Sequence, residues 1–205
     1  MLKIYLVRHG QDKDNEKGIL NGRRNKELTE IGINQAKELA LKIKEANIKF
    51  DKIYSSPLKR AYKTAEIIKD TLNNKEVEVL ENLIERDFGI MSGKLISDIE
   101  KFCSPDVFKS NTITYFLNPE GSETFPELLQ RAKELLNNIK NKYEEGSILL
   151  VTHGDFGKMI YASYYNIPWL EVLNLFHFGN SEMIELNEGL KLEDTHVFKI
   201  KQHNL

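Results

Sequence analysis

IYLVRHG, at residues 4–10, is an apolar run that ends in an arginine, a histidine and a glycine. The short apolar run predicts a buried strand, so that Arg8 and His9 follow its carboxyl end. An imidazole nitrogen is a nucleophile at neutral pH, and a guanidinium fork matches phosphate oxygens. Gly10 lets a bulky anion approach the backbone. The stretch therefore predicts a strand that presents a histidine to a phosphate group.

A second histidine-glycine pair, His153-Gly154, follows another apolar run at residues 148–151. This run also predicts a buried strand. Two strand ends with the same chemistry in one chain predict one pocket that is built from both.

Composition limits the classes of protein to which the chain belongs. The 205 residues are enough for one domain with a full core, and we expect a single domain over residues 1–205. The net charge of −2 and the absence of a long basic run argue against nucleic acid as a partner. The single cysteine, Cys103, excludes an intrachain disulfide and a cysteine-based metal cluster. Without a membrane-length apolar window or a signal-peptide pattern, we expect a cytoplasmic protein with no membrane partner.

Strand-like and helical patterns alternate along the chain. The strand-like runs lie at 3–8, 51–55, 76–80, 147–152, 177–186 and 195–200. The helical patterns lie at 30–46 after Thr29 as N-cap, from Ser56-Pro57 onward, from Thr124 onward with a capping box, and at 157–165. This alternation predicts an α/β fold, a three-layer αβα sandwich with a mostly parallel central sheet.

The stretch 89–122 is the least regular part of the sequence. Irregular connections of this length are usually functional, so we expect an insertion that covers the site as a lid. It contains several serine, asparagine and proline residues, and we therefore expect it to be too polar for a tight apolar seal.

Two further candidate groups follow strand-like runs. Arg60 comes after the second run, and Glu85 lies just beyond the third, with Glu81 as the alternative carboxylate. Ligands of open α/β sheets bind beyond the carboxyl ends of the strands. Separate segments that contain His9, Arg60, Glu85 and His153 are therefore expected to meet at one place.

Taken together, these segments resemble a known family in their order along the chain. The matching segments are LVRHGQ at 6–11 with Asn15, LTEIG at 28–32, SSPLKRA at 55–61, ERDFG at 85–89, PEGSET at 119–124 and THG at 152–154. They resemble the histidine phosphatase superfamily, whose members are the phosphoglycerate mutase-like proteins.

The resemblance implies a role for each candidate group. His9 would be the nucleophile that becomes phosphorylated, and Arg8, Arg60 and His153 would surround the phosphoryl oxygens. Asn15 would donate an amide hydrogen bond. Glu85 would protonate the leaving oxygen and then activate water. No metal and no cofactor would be needed, because arginines would neutralise the oxygen charge.

Further substrate contacts are expected beside these groups. The chain has only six arginines, and five of them lie in or beside the motif segments. Arginine is the better residue for bidentate phosphate contact. The additional predicted phosphate- or substrate-binding residues are Gly22, Arg23, Arg86 and Gly154.

Two positions depart from the pattern of the family. Position 12, usually serine or threonine, is Asp12, and the residue after His153-Gly154 is Asp155. A carboxylate at position 12 would repel a second substrate phosphate unless it turns away. These departures bear on the identity of the substrate more than on the chemistry.

The sequence thus predicts a metal-independent phosphomonoesterase that hydrolyses a small phosphorylated metabolite, such as a sugar phosphate, through a phosphohistidine. The first alternative is a 2,3-bisphosphoglycerate-dependent phosphoglycerate mutase, for which Arg86 after Glu85 is a typical detail. The second is a non-catalytic phospho-ligand binding module on the same fold. Such a module would be expected to lack one of the groups His9, Arg60, Glu85 and His153, and all are present.

Overall fold

The apolar run at residues 4–7 lies in the interior of a six-stranded sheet. The structure is a computed structural model, and it describes residues 1–74, 76–187, 189 and 195–203. The strands are β1 Leu2–Arg8, β2 Lys52–Ser55, β3 Val77–Val79, β4 Val107–Lys109, β5 Thr114–Phe116, β6 Gly146–Thr152, β7 Met183–Leu186 and β8 His196–Phe198. The helices are α1 Lys13–Glu16, α2 Glu30–Glu45, α3 Lys59–Leu72, α4 Ile99–Cys103, α5 Phe125–Lys142, α6 Gly154–Tyr165 and α7 Trp169–Leu175.

The order of the strands brings the two histidine motifs together. The sheet runs β3-β2-β6-β1-β7-β8, and its first four strands are parallel to one another, whereas β7 is antiparallel to β1. In the pairing of β1 with β6, Arg8 lies opposite Thr152. The backbone N–H of His9 then donates to the Thr152 carbonyl at 3.0 Å. The mostly parallel sheet is confirmed, and the two strands end side by side.

Helices cover both faces of the sheet. Alternate residues of β1 point to opposite faces: Ile4 and Leu6 pack with residues of α5, α6 and α7, whereas Tyr5 and Val7 pack with residues of α2 and α3. Both faces of β1 are buried, which explains its uninterrupted apolar run. The predicted three-layer α/β arrangement is therefore confirmed.

Two of the predicted helix starts are confirmed by their caps. The Thr29 side chain accepts from the backbone N–H of Gly32 at the start of α2. At α5, Thr124 and Glu127 form the reciprocal capping box, with a proline in the first turn. Hydroxyl and carboxylate oxygens there satisfy backbone donors that have no partner inside the helix.

The predicted start of the second helix was wrong. α3 begins at Lys59 with Leu58 in the N-cap position, and no side chain caps it. The Ser56 hydroxyl instead bonds to Nε2 of His153 at 2.8 Å and accepts from the N–H of Leu58 at 3.3 Å. Ser56-Pro57 therefore has the sequence pattern of a helix cap, but the serine side chain bonds to a histidine that is distant in the sequence.

Three other boundaries differ from the predictions. The strand expected at 177–186 covers only Met183–Leu186, because Ser181 has a positive φ of 55° and its N–H bonds back to the carbonyls of Arg8 and His9. α6 begins at Gly154, three residues earlier than expected. The helix Trp169–Leu175 was not predicted.

The stretch 89–122 is more regular than the sequence predicted. It contains short 3₁₀ helices at Gly89–Met91 and Ile96–Asp98, the helix α4, and a two-stranded antiparallel sheet of β4 and β5. Its side chains also form an apolar cluster, in which Met91, Ile99, Cys103 and Phe116 are buried with Phe88. Alternation is hard to detect in strands of three residues, and the polar residues of this stretch are concentrated in its turns.

Within the described part of the chain, every helix falls short of the length and apolar character that crossing a lipid bilayer requires.

Candidate active site

His9 is held in one orientation by two hydrogen bonds. Its Nδ1 lies 2.7 Å from the Gly10 carbonyl, which assigns the ring proton to Nδ1. Nε2 then has the ring's lone pair, which accepts from Nε of Arg60 at 3.1 Å. Burial, followed by the positive charges of Arg60 and Arg8, holds the pKa of His9 well below its ordinary value. The imidazole is therefore neutral, with the nucleophilic nitrogen directed at a guanidinium.

Arg60 is fully buried and fixed by backbone oxygens. Its Nη1 and Nη2 donate to the carbonyls of Arg24 and Gly22, each at 2.7 Å. Its Nε lies 3.3 Å from Oδ2 of Asp12. Rotation of the side chain would break all of these contacts, so the guanidinium edge beside His9 has a fixed position.

The Asp12 carboxylate is bonded within the protein and lies close to His9, with Oδ2 3.9 Å from Nδ1 of the ring. Its Oδ1 accepts from the N–H groups of Asp14 and Asn15 at the start of α1, and its Oδ2 accepts from Nδ2 of Asn21 at 2.5 Å. The side chain is completely buried, and burial raises its pKa despite the nearby Arg60. The carboxylate that departs from the family pattern is therefore a helix cap and the ion-pair partner of Arg60.

Arg8 and His153 complete a ring of buried donors. Nη1 of Arg8 donates to the Phe178 carbonyl at 2.6 Å, whereas its Nε is buried with no hydrogen-bond partner in the described structure. The rings of His9 and His153 lie 5.1 Å apart. Nδ1 of His153 is likewise buried without a partner in the described residues. Buried donors without partners are costly, and a phosphoryl group is a ligand that would satisfy both.

Glu85 lies beside the start of α6 and lines a cavity together with Arg8, whereas His9, Arg60 and His153 are not among the residues that line it. Its Oε1 accepts from the N–H groups of Arg86 at 2.8 Å and Phe156 at 3.0 Å, and its Oε2 accepts from Asp155 at 3.3 Å. Burial and then the charge of Asp155 raise the pKa of Glu85, against the opposing backbone hydrogen bonds. The carboxyl thus retains a proton to a higher pH than an exposed glutamate does.

Glu81, the alternative carboxylate, is exposed in the 3₁₀ helix Glu81–Leu83. It lines a different cavity, together with Tyr54 and Tyr143. Glu85 therefore lines the same cavity as Arg8, whereas Glu81 does not.

Gly154 and Asn15 border the same cavity. A Cβ atom on Gly154 would lie 3.6 Å from Cζ of Arg8 and 3.9 Å from Oε2 of Glu85. A side chain there would enter the space between the two groups. Oδ1 of Asn15 accepts from Nδ2 of Asn180 at 3.2 Å, which leaves the Asn15 amide nitrogen as a donor.

The other predicted contacts lie around the cavity. Arg23 does not line it, because its guanidinium bonds to the Glu85 carbonyl, Asp87 and Glu123. The carbonyl of Gly22 accepts from Nη2 of Arg60. The backbone φ of Gly22 is +49°, and a Cβ atom at this position would lie 2.9 Å from the Phe88 ring.

Arg86 lines the cavity, and two of its three guanidinium nitrogens are bonded within the protein. Its Nε lies 2.9 Å from Oδ2 of Asp155, and its Nη1 donates to the Phe116 carbonyl at 3.0 Å. Its guanidinium packs on the rings of Phe116 and Phe125, with centroids at 4.2 and 4.3 Å. This cation supports the wall of the cavity.

The cavity itself has a volume of about 140 Å³. Its polar wall comes from the strand ends and α6, whereas residues of the 89–122 stretch supply most of its apolar wall. These apolar residues are Ile96, Ile99, Ile113, Tyr115 and Phe116. The stretch therefore contributes apolar side chains to the wall, whereas the expectation that it is too polar for a tight apolar seal stays a prediction.

Three residues at the site were missed in the sequence. Asn180 donates to the His9 carbonyl and to Asn15. Arg131 donates to the carbonyls of Ile84 and Glu85, and Lys158 lines the cavity from α6. Arg131 had a usable signal, since arginine is rare in this chain, but it lies in an ordinary helical pattern.

We expect Asp12→Ala to lower the free energy of unfolding by about 3 kcal/mol. The change removes the cap of α1 and leaves the buried Arg60 cation without its carboxylate partner. Urea denaturation measures the loss. Asp98→Ala is the matched control, because Asp98 precedes α4 without a side-chain capping bond. An equal loss in both variants would contradict the proposed role of Asp12.

Among the described residues, no group of three or more histidine, cysteine, aspartate or glutamate side chains could hold a metal ion. The positive charges that act on His9 are those of Arg60 and Arg8.

Comparison with known proteins identifies the family. The profile of the "Histidine phosphatase superfamily (branch 1)" matches residues 4–191. A Hydrogenobacter thermophilus protein with the name "Putative phosphoserine phosphatase 2" is 37% identical over 195 residues, 93% of this chain and 92% of that protein. A 2,3-bisphosphoglycerate-dependent phosphoglycerate mutase of Parvibaculum lavamentivorans is 31% identical over 159 residues, 74% of each chain.

Comparison of the structure with solved structures finds proteins of the same kind. A mutant phosphoserine phosphatase from Entamoeba histolytica, in complex with phosphoserine, has a TM-score of 0.73 and 29% identity, with 90% of each chain covered. The Entamoeba histolytica phosphoserine phosphatase in complex with 3-phosphoglyceric acid also has a TM-score of 0.73, at 27% identity, with 100% of this chain and 98% of that chain covered. The ordered motifs, the sheet and the profile agree: this chain belongs to branch 1 of the histidine phosphatase superfamily.

Proposed function

We propose that this protein is a phosphomonoesterase that acts without a metal, through a phosphohistidine on His9. The observation that carries the proposal is the neutral imidazole of His9, whose Nε2 lone pair accepts from Arg60, close to two buried nitrogens without partners in the described residues, Nε of Arg8 and Nδ1 of His153. Such a ring can attack phosphorus, and the surrounding cations can stabilise the charge that develops on the oxygens.

The first step transfers the phosphoryl group to His9. Nε2 of His9 forms a bond to phosphorus while the bond between phosphorus and the ester oxygen breaks. The protonated carboxyl of Glu85 gives its proton to the leaving oxygen, and the alcohol departs. Arg8, Arg60 and His153 hold the phosphoryl oxygens, and fixed positions suit phosphoryl transfer because alignment and charge neutralisation dominate its catalysis.

The second step returns His9 to its starting state. Glu85, now ionised, takes a proton from a water molecule, whose oxygen attacks phosphorus. The bond between Nε2 and phosphorus breaks, and inorganic phosphate leaves. Nδ1 keeps its proton throughout, because the Gly10 carbonyl accepts from it.

The proposed substrate is a small phosphorylated metabolite. The cavity of about 140 Å³ excludes a macromolecular ester from its interior. Relatives named as phosphoserine phosphatases, and structural neighbours with bound phosphoserine or 3-phosphoglyceric acid, favour phosphoserine as the first candidate. A sugar phosphate is the second candidate. The proposed location is the cytoplasm, and among the described residues no helix is suited to crossing a membrane.

The competing activity is that of a phosphoglycerate mutase, which some relatives share by name. A mutase returns the phosphoryl group to an acceptor, and this requires a second anion site. Arg86, the mutase-like detail of the sequence, is already bonded to Asp155 and Phe116, and Arg23 is bonded to Asp87 and Glu123. The carboxylates of Asp155, Asp87 and Glu123 partly neutralise these two cations, which weakens their attraction for a second phosphate and favours water as the acceptor.

We expect inorganic phosphate to be the main product with phosphoserine and with p-nitrophenyl phosphate, in the presence of a chelator. Addition of 2,3-bisphosphoglycerate should not be required, and 3-phosphoglycerate should not be efficiently converted to 2-phosphoglycerate. Phosphate release and NMR of the phosphoglycerates measure the two outcomes. Interconversion that is stimulated by the bisphosphate, with little phosphate released, would support the mutase instead.

A further inference from the structure

Lys158 is a buried cation in the wall of the active-site cavity. The residue is 3% exposed, and Nζ donates to Oη of Tyr115 at 2.8 Å and to the Leu173 carbonyl at 3.3 Å. Among the described residues, the hydrogen-bond partners of Nζ are both uncharged, and the nearby carboxylate of Asp155 is paired with Arg86. A buried charge is costly unless an opposite charge accompanies it. The cavity is therefore the place from which an anion would compensate Lys158.

The helix α6 places this ammonium close to the phosphate site. Gly154 at the start of α6 adjoins the Arg8 guanidinium, where a Cβ would lie 3.6 Å from Cζ. Lys158 is four residues later on the same helix, which is about 6 Å along the axis and on the same face. Both Arg8 and Lys158 line the one cavity. An ester with its phosphoryl group at Arg8 and His9 would extend its alcohol portion toward Lys158.

We infer that Lys158 determines specificity by binding a carboxylate on the alcohol portion of the substrate, close to the ester carbon. This inference rests on the proposed phosphatase activity and narrows its substrates to phosphomonoesters that carry a carboxylate. An ammonium has three donors, and two of them are used by Tyr115 and Leu173. The third remains for an oxygen of the substrate.

The charges around Lys158 favour a carboxylate over a second phosphate. Asp155, on the same face of α6, is bonded to Arg86, and Glu85 lies on the same cavity wall. These acidic groups repel a second phosphate dianion more strongly than a carboxylate monoanion, because the repulsion grows with the charge of the ligand. One ammonium is enough to pair with a monoanion. Burial lowers the pKa of Lys158 to about 8, so the side chain is largely charged at neutral pH.

A purely structural role is the alternative. Lys158 joins Tyr115 in β5 to Leu173 in α7, and loss of these bonds could loosen the apolar wall. Loosening would impair all substrates alike, because the wall contacts each of them. Loss of a carboxylate contact would impair only the substrates that carry a carboxylate.

The test compares Lys158→Met with the wild type on phosphoserine, 3-phosphoglycerate and phosphoethanolamine. The first two esters carry a carboxylate, and phosphoethanolamine does not. We expect kcat/KM to fall about tenfold to 100-fold for the first two, mainly through KM, and less than about threefold for phosphoethanolamine. Lys133→Met, at an exposed position of α5, is the matched control and should leave all three unchanged.

Two further measurements separate the proposed role of Lys158 from a folding defect and from the failure of the proposed function. Lys158→Gln removes the charge and retains a hydrogen-bond donor, so it should show the same selective loss even if Lys158→Met fails to fold. In a His9→Ala background, calorimetric titration should show that Lys158→Gln weakens binding of phosphoserine and not of phosphoethanolamine. Equal losses for esters with and without a carboxylate would overturn the inference. If the wild type hydrolyses none of the esters, the proposed function fails, whereas the titration still decides the role of Lys158.

Discussion

His9→Ala should reduce phosphate release from every substrate by at least ~10⁴-fold, because it removes the group that receives the phosphoryl group. The His153 ring lies 5.1 Å away, and its Nε2 bonds to Ser56. Release of phosphate from phosphoserine and from p-nitrophenyl phosphate measures the loss. Wild type quenched during turnover should also contain acid-labile phosphate on His9, detectable by mass spectrometry of peptides kept at alkaline pH.

His203→Ala is the matched control for His9→Ala, because His203 is exposed and distant from His9 in the sequence. It should retain wild-type rates and the same labelled peptide. Substantial turnover in His9→Ala, or a phosphopeptide that contains another residue, would contradict the covalent mechanism and leave direct attack by water as the alternative.

The sequence was most informative where structure depends on local pattern. The apolar runs at residues 4–7 and 148–151 are strands with both faces buried, and burial on both faces requires apolar side chains at every position. The caps at Thr29 and Thr124 use oxygens that bond within four residues. From the order of the motifs, the sequence also predicted which catalytic candidates lie close together. The roles of these residues remain predictions.

The sequence was least informative where a residue acts through a distant partner. Ser56 has the pattern of a cap but bonds to His153, which is 97 positions away. Asn180 looks like a loop residue, yet it donates to the His9 carbonyl from 171 positions away. Lys158 lies in a helical pattern, and only the placement of β5 and α7 shows that it is buried. No local pattern in a single sequence records such contacts.

Glu85→Gln should slow the hydrolysis of phosphoserine by ~10²–10⁴-fold, because an alkyl alcohol needs a proton as it leaves. The phosphorylation step with p-nitrophenyl phosphate should be affected far less, because nitrophenolate leaves without one. Rapid-quench measurement of the first turnover separates this step from the hydrolysis of the phosphohistidine, in which Glu85 also acts. Glu81→Gln is the matched control, since Glu81 is exposed and lines another cavity.

The pH dependence gives Glu85 a second signature. Burial and the charge of Asp155 raise the pKa of Glu85, and a bound phosphate dianion would raise it further. The acid form is therefore present at and below this raised pKa and is lost as the pH rises through it. The first turnover with phosphoserine should slow over that interval in the wild type, whereas Glu85→Gln should lack this decline. Equal losses for the two leaving groups, or an unchanged pH profile in Glu85→Gln, would show that another group is the acid.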